Sequence, residues 1–330
     1  MVISRTKFEI SHDDIRRIFS HAGFAPVAGI RSLGAGEFNA VYAVEAGGQT
    51  YALKVGADNS AVMIYEKDML KSELFWYQVI AERTDLRVPR VFFSDFTKTI
   101  IPTNYFIMEF IPGPRKDELN VTEAQRAKAD AVIAGMIARL HRVRGEKFGY
   151  PQCGLHESWD IALEHMIQNL IRDAQKVNLA LPRAEKVLTL IDRYRSVLSG
   201  APCRLISFDA WEPNFICVSD NPDQPEFAWI DPERCLWGDP MMDFLTMELG
   251  NWNLSQKTRT LAAYNAVAEF PVSGTREEEI RYAFGLCYLA GIVECEKHYR
   301  YSPGLPNWDR SIEFSDLLYE IGFSMLEQTP

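Results

Sequence analysis

The chain has 330 residues, of which 47% are hydrophobic, and a formal net charge of -10 at pH 7. Its length is enough for two lobes that each bury a core, and its acidity disfavours nucleic acids and membranes as partners, because nucleic acids and anionic membrane surfaces bind basic faces. We expect a cytoplasmic protein with reduced thiols, since charges interrupt the N-terminal segment, no later stretch could span a membrane, and the 6 cysteines lack the close spacing of a zinc site or disulfide framework.

The N-terminal part of the sequence predicts a short helix followed by a β-meander. Ser11 and Asp14 open an apolar pattern that ends near Gly23, which is typical of a capped helix. Between residues 30 and 55, strand-like runs alternate with glycine turns. Residues 60–82 contain no glycine or proline and repeat apolar side chains at helical spacing, so a long helix is expected there.

The Pro112-Gly113-Pro114 sequence follows two further strand-like runs, at residues 88–93 and 105–111. We place a domain boundary here, with residues 1–111 as an N-terminal lobe and residues 112–330 as a C-terminal lobe. Helical patterns then recur at residues 122–141, 159–174 and 183–198, and a turn-rich segment separates the two strands of a hairpin within residues 215–230. The predicted fold class is α+β, with a small antiparallel sheet and a larger helical part.

Three polar side chains near the predicted hairpin could carry chemistry. Asp209 and Asn214 precede its first strand, and Asp231 follows its second. A carboxylate can orient or deprotonate an attacking hydroxyl, and carboxylate and amide oxygens can hold Mg²⁺ against phosphates. Phosphoryl transfer needs these groups and little covalent help from the protein.

The sequence resembles the aminoglycoside-phosphotransferase and choline-kinase branch of the protein-kinase-like superfamily over nearly its whole length. Each matching segment is weak alone, and their common order and spacing carry the resemblance. In chain order, the segments are residues 34–42 as a nucleotide loop, 52–55 as a lysine strand, 88–91, 106–113 as a hinge, 140–141 at a helix end, 207–214 as a catalytic loop, 231 as a metal ligand, and 237–244.

The resemblance implies a two-lobed protein-kinase-like fold and transfer of a phosphate from Mg²⁺-bound ATP or GTP to the hydroxyl of a small molecule. In this scheme Asp209 is the catalytic residue, and Asn214 and Asp231 are ligands of Mg²⁺. The sequence does not indicate which nucleotide is the donor, because the hinge would contact the base through its backbone.

A nucleotide-binding set is implied by the same resemblance. Lys54 would hold the α- and β-phosphates, with Glu73 as its preferred ion-pair partner and Glu66 as the alternative. Backbone groups would approach the nucleotide from a glycine-containing loop and from the hinge. The residues concerned are Gly34, Gly36 and Asn39 in the loop and Glu109, Phe110 and Ile111 in the hinge.

The acceptor is expected to contact acidic and aromatic residues of the C-terminal half. An aminoglycoside or amino alcohol fits their charge, although solvated helix faces explain the same charges. These residues are Trp159, Asp160, Glu294, Glu296, Trp308, Glu313 and Asp316.

Two other functions stay open. Most members of the family have His where this chain has Ser207, which is the one sequence feature that favours a catalytically idle nucleotide-binding scaffold. Transfer to a protein hydroxyl is disfavoured, because no Ala-Pro-Glu segment follows Asp231. The sequence does not indicate the oligomeric state.

Overall fold

A computed structural model describes residues 7–34, 38–57 and 62–328. Within these residues, the N-terminal part forms a five-stranded antiparallel sheet in the order β1-β2-β3-β5-β4. The strands are β1 (Val27–Ser32), β2 (Ala40–Ala46), β3 (Gln49–Val55), β4 (Val91–Asp95) and β5 (Tyr105–Glu109). The central position of β3 places Lys54, opposite Phe106 in the register, in the middle of the sheet.

Two helices accompany the sheet. Helix α1 (His12–His21) is capped by the Ser11 side chain, as the sequence predicts, and buries Ile15, Ile18 and Phe19 against the sheet core. Helix α2 (Met69–Arg83) lies between β3 and β4 in the chain and buries Glu73 among apolar neighbours.

The expected start of the second helix, near residue 60, is wrong. Asp68 has a left-handed backbone with φ 54°, so α2 begins only at Met69, after a 3₁₀ turn at Ile64–Glu66. The Glu66 carboxylate accepts a hydrogen bond from the Met63 backbone N–H at 2.9 Å, which closes the turn on itself. This local hydrogen bonding competes successfully with the helical pattern.

The remainder of the described chain is mainly helical. Helix α7 runs through its centre and is buried on most sides, packed against α4, α5 and α8. The helices are α3 (Glu123–Leu140), α4 (Trp159–Lys176), α5 (Pro182–Ser199), α6 (Thr258–Asn265), α7 (Arg276–Arg300) and α8 (Pro306–Glu327). A small sheet beside a larger helical part confirms the predicted α+β class.

Two short antiparallel strand pairs interrupt the helices. Strands β7 (Phe215–Cys217) and β8 (Phe227–Trp229) form the predicted hairpin, and β6 (Arg204–Ile206) pairs with β9 (Leu236–Gly238). The loops that leave these strands carry Asp209, Asn214 and Asp231, so both pairs serve to position the polar residues singled out in the sequence.

The six cysteines are free thiols, as expected. No helix in the described part of the chain combines the length and the apolar character needed to cross a membrane.

A buried ion-pair network joins the turn before α2 to the helical part. Arg300, at the end of α7, pairs with Glu66 at 2.7 Å and also with Glu296, which in turn binds Arg234 at 3.1 Å. Glu66 and Arg300 are 1% and 6% exposed. The Ile64 N–H also donates to Asp173 of α4 at 2.7 Å. These contacts fix the N-terminal end of α2 on α4 and α7.

Arg300→Met should lower the free energy of unfolding by about 3 kcal/mol, because it leaves the Glu66 carboxylate buried without its partner. Urea denaturation of the two proteins measures the difference. Arg259→Met is the matched control, since Arg259 pairs with Glu123 where both side chains are exposed, and its loss should change stability by less than about 1 kcal/mol. Equal effects of the two substitutions would contradict this account.

Candidate active site

Lys54 lies at the centre of the polar site. Its side chain projects from β3 and is 3% exposed. Three carboxylates surround its ammonium group: Glu73 of α2 at 2.7 Å, Asp231 at 2.5 Å and Glu233 at 3.3 Å. The structure therefore brings Lys54 and Asp231 together from opposite parts of the chain, and it places Glu73 rather than Glu66 beside the lysine.

The carboxylates outnumber the single cation among them. Burial alone would lower the pKa of Lys54, but Asp231, Glu73 and Glu233 outweigh it and hold that pKa well above its usual value. Burial raises the pKa of Glu73 to about 7, with Lys54 opposing the rise. Burial and the neighbouring Asp231 also raise the pKa of Glu233. The excess negative charge makes this place favourable for a further cation.

A divalent cation fits the donor set. Oxygen atoms of Glu73, Asp231 and Glu233 lie within 4.8 Å of one another, and hard cations such as Mg²⁺ prefer carboxylate oxygens. The predicted ligand Asn214 donates from its side-chain N–H₂ to the backbone oxygen and side chain of Asp209 at 3.0 and 3.2 Å. This orientation leaves the amide oxygen of Asn214 as the atom that could face a metal.

Asp231 has a strained backbone, with φ 63° in the left-handed region. Its N–H donates to the hydroxyl of Tyr77, on α2, at 3.0 Å. Non-glycine residues seldom adopt this conformation unless their surroundings impose it. The contact with Tyr77 helps to hold the carboxylate of Asp231 beside Lys54.

The loop that carries Asp209 is held by one buried carboxylate. Asp243 accepts hydrogen bonds from the N–H groups of Ser207 at 2.9 Å and Phe208 at 2.5 Å, and Phe208 has φ 54°. His141, at the end of α3, contacts the same carboxylate through Nε2 at 2.8 Å and the Tyr264 hydroxyl through Nδ1 at 2.7 Å. His141 is thus a supporting residue of the loop.

Asp209 lies at the end of this supported loop. Burial raises its pKa to about 6, Asp231 adds to the rise, and Arg234 and the Asn214 amide oppose it. Its N–H donates to the Ser207 hydroxyl at 3.3 Å. Asp209 and Asn214 are therefore in contact, as the family resemblance implies, and Asp231 is close enough to influence Asp209 electrostatically.

The other residues predicted to bind the nucleotide belong to the glycine-containing loop, which includes Asn39, and to the hinge. Gly34 has a left-handed backbone with φ 51°, and Gly36 lies outside the described residues. Asn39 is buried and donates its side-chain N–H₂ to Glu233 at 2.5 Å, so it connects the loop before β2 to the segment that carries Asp231. Its side chain is thus directed at a protein carboxylate.

The hinge prediction covers the end of β5 and the two residues that follow. Glu109 ends β5, and its carboxylate binds the Arg87 guanidinium and, at 3.2 Å, the Arg90 N–H. Phe110 is half-buried, and Ile111 packs in a small cluster with Ile216 of the hairpin. The hinge is thereby attached to the hairpin that separates Asn214 from Asp231.

Glu233 was not among the site residues predicted from the sequence. This residue contacts both Lys54 and Asn39, although the sequence-based prediction for the segment stopped at Asp231. The sequence feature that could have identified Glu233 is its position two residues after Asp231, which places a second carboxylate near Lys54. Arg234, the next residue, was also missed and lies close enough to Asp209 to oppose the rise of its pKa.

The acidic residues expected to contact an amine are mostly engaged by arginine. Asp160 pairs with Arg195 at 2.8 Å, and Glu294 pairs with Arg183 at 2.8 Å. The other acidic pairs are Asp316 with Arg183 and Glu296 with Arg234 and Arg300. Trp159 is buried in the core. These contacts give the carboxylates structural partners and weaken the argument for a cationic acceptor.

A family model described as the phosphotransferase enzyme family, APH, matches residues 29–278. A sequence search of curated proteins found no significant match. Among solved structures, the chain is similar to a Ralstonia eutropha protein provisionally named an aminoglycoside phosphotransferase, with 13% identity, a TM-score of 0.66 and coverage of 97% of this chain and 99% of the other.

Two further structures are similar in fold. A microcompartment-associated aminopropanol kinase has 18% identity and a TM-score of 0.66, with coverage of 96% of this chain and 98% of the other. The GDP and kanamycin complex of APH(2")-IIIa has 13% identity and a TM-score of 0.64, with coverage of 94% and 99%. At these identities the similarity shows a shared fold, which confirms the expected two-lobed kinase-like architecture.

Asp243→Asn should lower the free energy of unfolding by about 1.5 to 3 kcal/mol, because the amide nitrogen cannot accept a hydrogen bond and one loop N–H loses its charged partner. Calorimetric unfolding measures the loss. Asp223→Asn, which changes an exposed hairpin carboxylate paired with Lys128, should leave stability nearly unchanged. A neutral Asp243→Asn variant would show that the carboxylate does not hold the loop.

Proposed function

Because the chain belongs to the phosphotransferase enzyme family, we propose that it transfers the γ-phosphate of Mg²⁺-bound ATP or GTP to the hydroxyl group of a small molecule. The observation that carries the proposal is the meeting of Lys54 with Glu73, Asp231 and Glu233 next to the Asp209 loop. A lysine among excess carboxylates supplies a phosphate-binding cation and a place for a metal. The GDP bound in the APH(2")-IIIa structure supports a nucleotide as the donor.

The two lobes divide these tasks in the proposal. Residues 1–111 form the nucleotide-binding lobe, which supplies Lys54 and Glu73 and ends at the hinge of Glu109, Phe110 and Ile111. Residues 112–330 form the lobe that supplies the catalytic loop and the acceptor site. The nucleotide lies between them, with the backbone at Gly34 covering its phosphates.

Phosphate binding is assigned to Lys54. Its ammonium holds the α- and β-phosphates, and the contact with Glu73 orients it. Asp231, Asn214 and Glu233 are the residues that would hold Mg²⁺, and the bound ion would neutralise charge on the phosphates. The Asn39 side chain keeps Glu233 in place by donating to its carboxylate.

Proton transfer is assigned to Asp209. Its carboxylate orients the acceptor hydroxyl and takes its proton as the hydroxyl oxygen bonds to the γ-phosphorus. The bond from that phosphorus to the oxygen it shares with the β-phosphate breaks, and the nucleoside diphosphate leaves. Asp243 and His141 keep the loop in the required position, since they bind its backbone directly or through one residue.

The proposal limits the acceptor to a small molecule that carries a hydroxyl group. Kanamycin in one related structure and aminopropanol in the name of another make an aminoglycoside or amino alcohol a reasonable first class to assay. In this chain, however, arginines neutralise the acidic residues expected to bind an amine. Trp211 is 42% exposed two residues after Asp209 and offers an aromatic surface for any such acceptor.

The surroundings of Ser207 support an active enzyme, although the residue itself departs from the family pattern. Its backbone N–H is bound by Asp243, and the imidazole of His141 contacts the same carboxylate. The loop therefore has a supporting imidazole although none stands at position 207.

Assays of γ-phosphate loss from ATP and GTP, with amino alcohols, aminoglycosides and sugars as acceptors, test the proposal. Nucleotide binding without transfer to any of them would favour the idle scaffold.

Asp209→Asn should lower turnover by roughly 10²- to 10⁴-fold, because it removes the base that takes the hydroxyl proton. Nucleotide affinity should stay within a few-fold, since this residue acts on the acceptor. Steady-state kinetics and nucleotide titration measure the two effects. Asp220→Asn, in the exposed hairpin turn, is the control and should match the wild type. Turnover near the wild-type rate in Asp209→Asn would exclude the assigned role.

Asp231→Ala should weaken nucleotide binding in the presence of Mg²⁺ by roughly tenfold or more, because it removes a proposed metal ligand. Without Mg²⁺ the difference from the wild type should shrink, and calorimetric titration under both conditions measures this. Glu226→Ala removes an exposed carboxylate from the same hairpin and serves as the control. An equal loss of affinity with and without Mg²⁺ would argue against metal binding by Asp231.

A further inference from the structure

A polar cavity lies beside His141, whose imidazole contacts Asp243. It has a volume of about 70 Å³ and is lined by side chains of α3, β6, the start of α7 and the segment 269–272. None of its lining residues belongs to the group around Lys54 and Asp209. Its polar lining includes Arg204, Asp239, Tyr264, Glu269, Glu278 and Arg281.

Arg204 is the unusual member of this lining. It is 9% exposed, and within the described residues no carboxylate lies at ion-pair distance from its guanidinium. Its Nη1 donates a hydrogen bond to the Cys203 backbone oxygen at 3.1 Å, and the Phe270 ring packs against it with the guanidinium 5.0 Å from the ring centre. Guanidinium has five N–H donors, and the other N–H groups of Arg204 have no protein acceptor among the described residues.

The acidic residues of the lining already have partners. Glu269 pairs with Arg144, and Asp239 lies 3.1 Å from the Nε of Arg281. Glu278 accepts hydrogen bonds from the backbone N–H groups of Ser273 and Thr275 at 3.0 and 2.8 Å, which caps α7. Among the arginines that line the cavity, Arg204 is therefore the one without a carboxylate partner in the described part of the chain.

The lack of a counter-ion has an electrostatic consequence. Burial lowers the pKa of Arg204, the neighbouring Arg144 lowers it further, and Glu269 opposes them at longer range. A buried charge is costly unless it is paired and hydrogen-bonded. An anion that entered the cavity would supply both the charge and the missing acceptors.

The volume and the walls of the cavity limit the size of an anion that could bind in it. Its volume of about 70 Å³ is well below the roughly 150 Å³ of a cavity that binds benzene. Pro202, Pro240 and Val272 give it apolar walls as well. We propose that this cavity is a binding site for a small oxyanion, phosphate or a short carboxylate, held by the guanidinium of Arg204.

The position of the site connects it to the catalytic loop. Tyr264 lines the cavity, and its hydroxyl contacts His141, which contacts Asp243. Asp243 in turn binds the N–H groups of Ser207 and Phe208. An anion against Tyr264 is therefore connected to the loop backbone through three side chains, and its binding should slow hydrogen exchange at that loop.

Thermal unfolding at constant ionic strength tests the site, with inorganic phosphate and acetate as probes and chloride as the reference. Phosphate or acetate should raise the Tm of the wild type above that in chloride, and Arg204→Met should weaken binding at least tenfold by calorimetric titration. Arg142→Met removes an exposed arginine from the same face and should bind as the wild type does. No effect of either probe beyond that of chloride would overturn the proposal.

Hydrogen exchange of the wild type locates the bound probe without any substitution. Phosphate should protect the segments around Arg204 and Tyr264 together with the N–H groups of Ser207 and Phe208. Protection centred on β3 would place phosphate at Lys54 and overturn the proposal. Loss of phosphate binding in Lys54→Met, with binding retained in Arg204→Met, would overturn it as well.

Discussion

The burial of the Lys54 ammonium is the constraint on which the rest of the site depends. A charge on a central strand is stable only if carboxylates reach it, and they come from separate segments of the chain. The position of α2, the backbone of Asp231 and the loop before β2 must all satisfy this one group. The lysine thus organises the contact between the sheet and the helical part before any ligand is considered.

The sequence predicted the elements whose signals are local. Ser11 caps the first helix, the Gly47-Gly48 turn separates β2 from β3, and the turn-rich segment after Val218 forms the hairpin. Asp209, Asn214 and Lys54 were identified because their types and order match a family. In the structure Asp209 contacts Asn214, and Lys54 contacts Asp231. These contacts are consistent with the roles that the resemblance implies, and those roles remain proposals.

Prediction from the sequence failed where the partner of a side chain lies far away in the chain. The Met63 N–H closes the turn at Glu66, and Arg300, more than two hundred residues later, binds the same carboxylate, a contact that the helical pattern does not reveal. The acidic residues of the C-terminal half likewise carried no sign of their arginine partners, such as Arg183 for Glu294. Pairings between remote segments have no periodicity, so they become visible only when the fold is known.

The Glu66–Arg300 pair also bears on how the chain is assembled during synthesis. Glu66 leaves the ribosome well before Arg300, which lies 234 residues later in the chain. Until then the turn before α2 lacks the partner that neutralises its buried carboxylate. The N-terminal sheet can pair its strands first, but α2 acquires its final anchor only after Arg300 has emerged. Until Arg300 emerges, Lys54 and the helix that carries its partner Glu73 are therefore incompletely fixed.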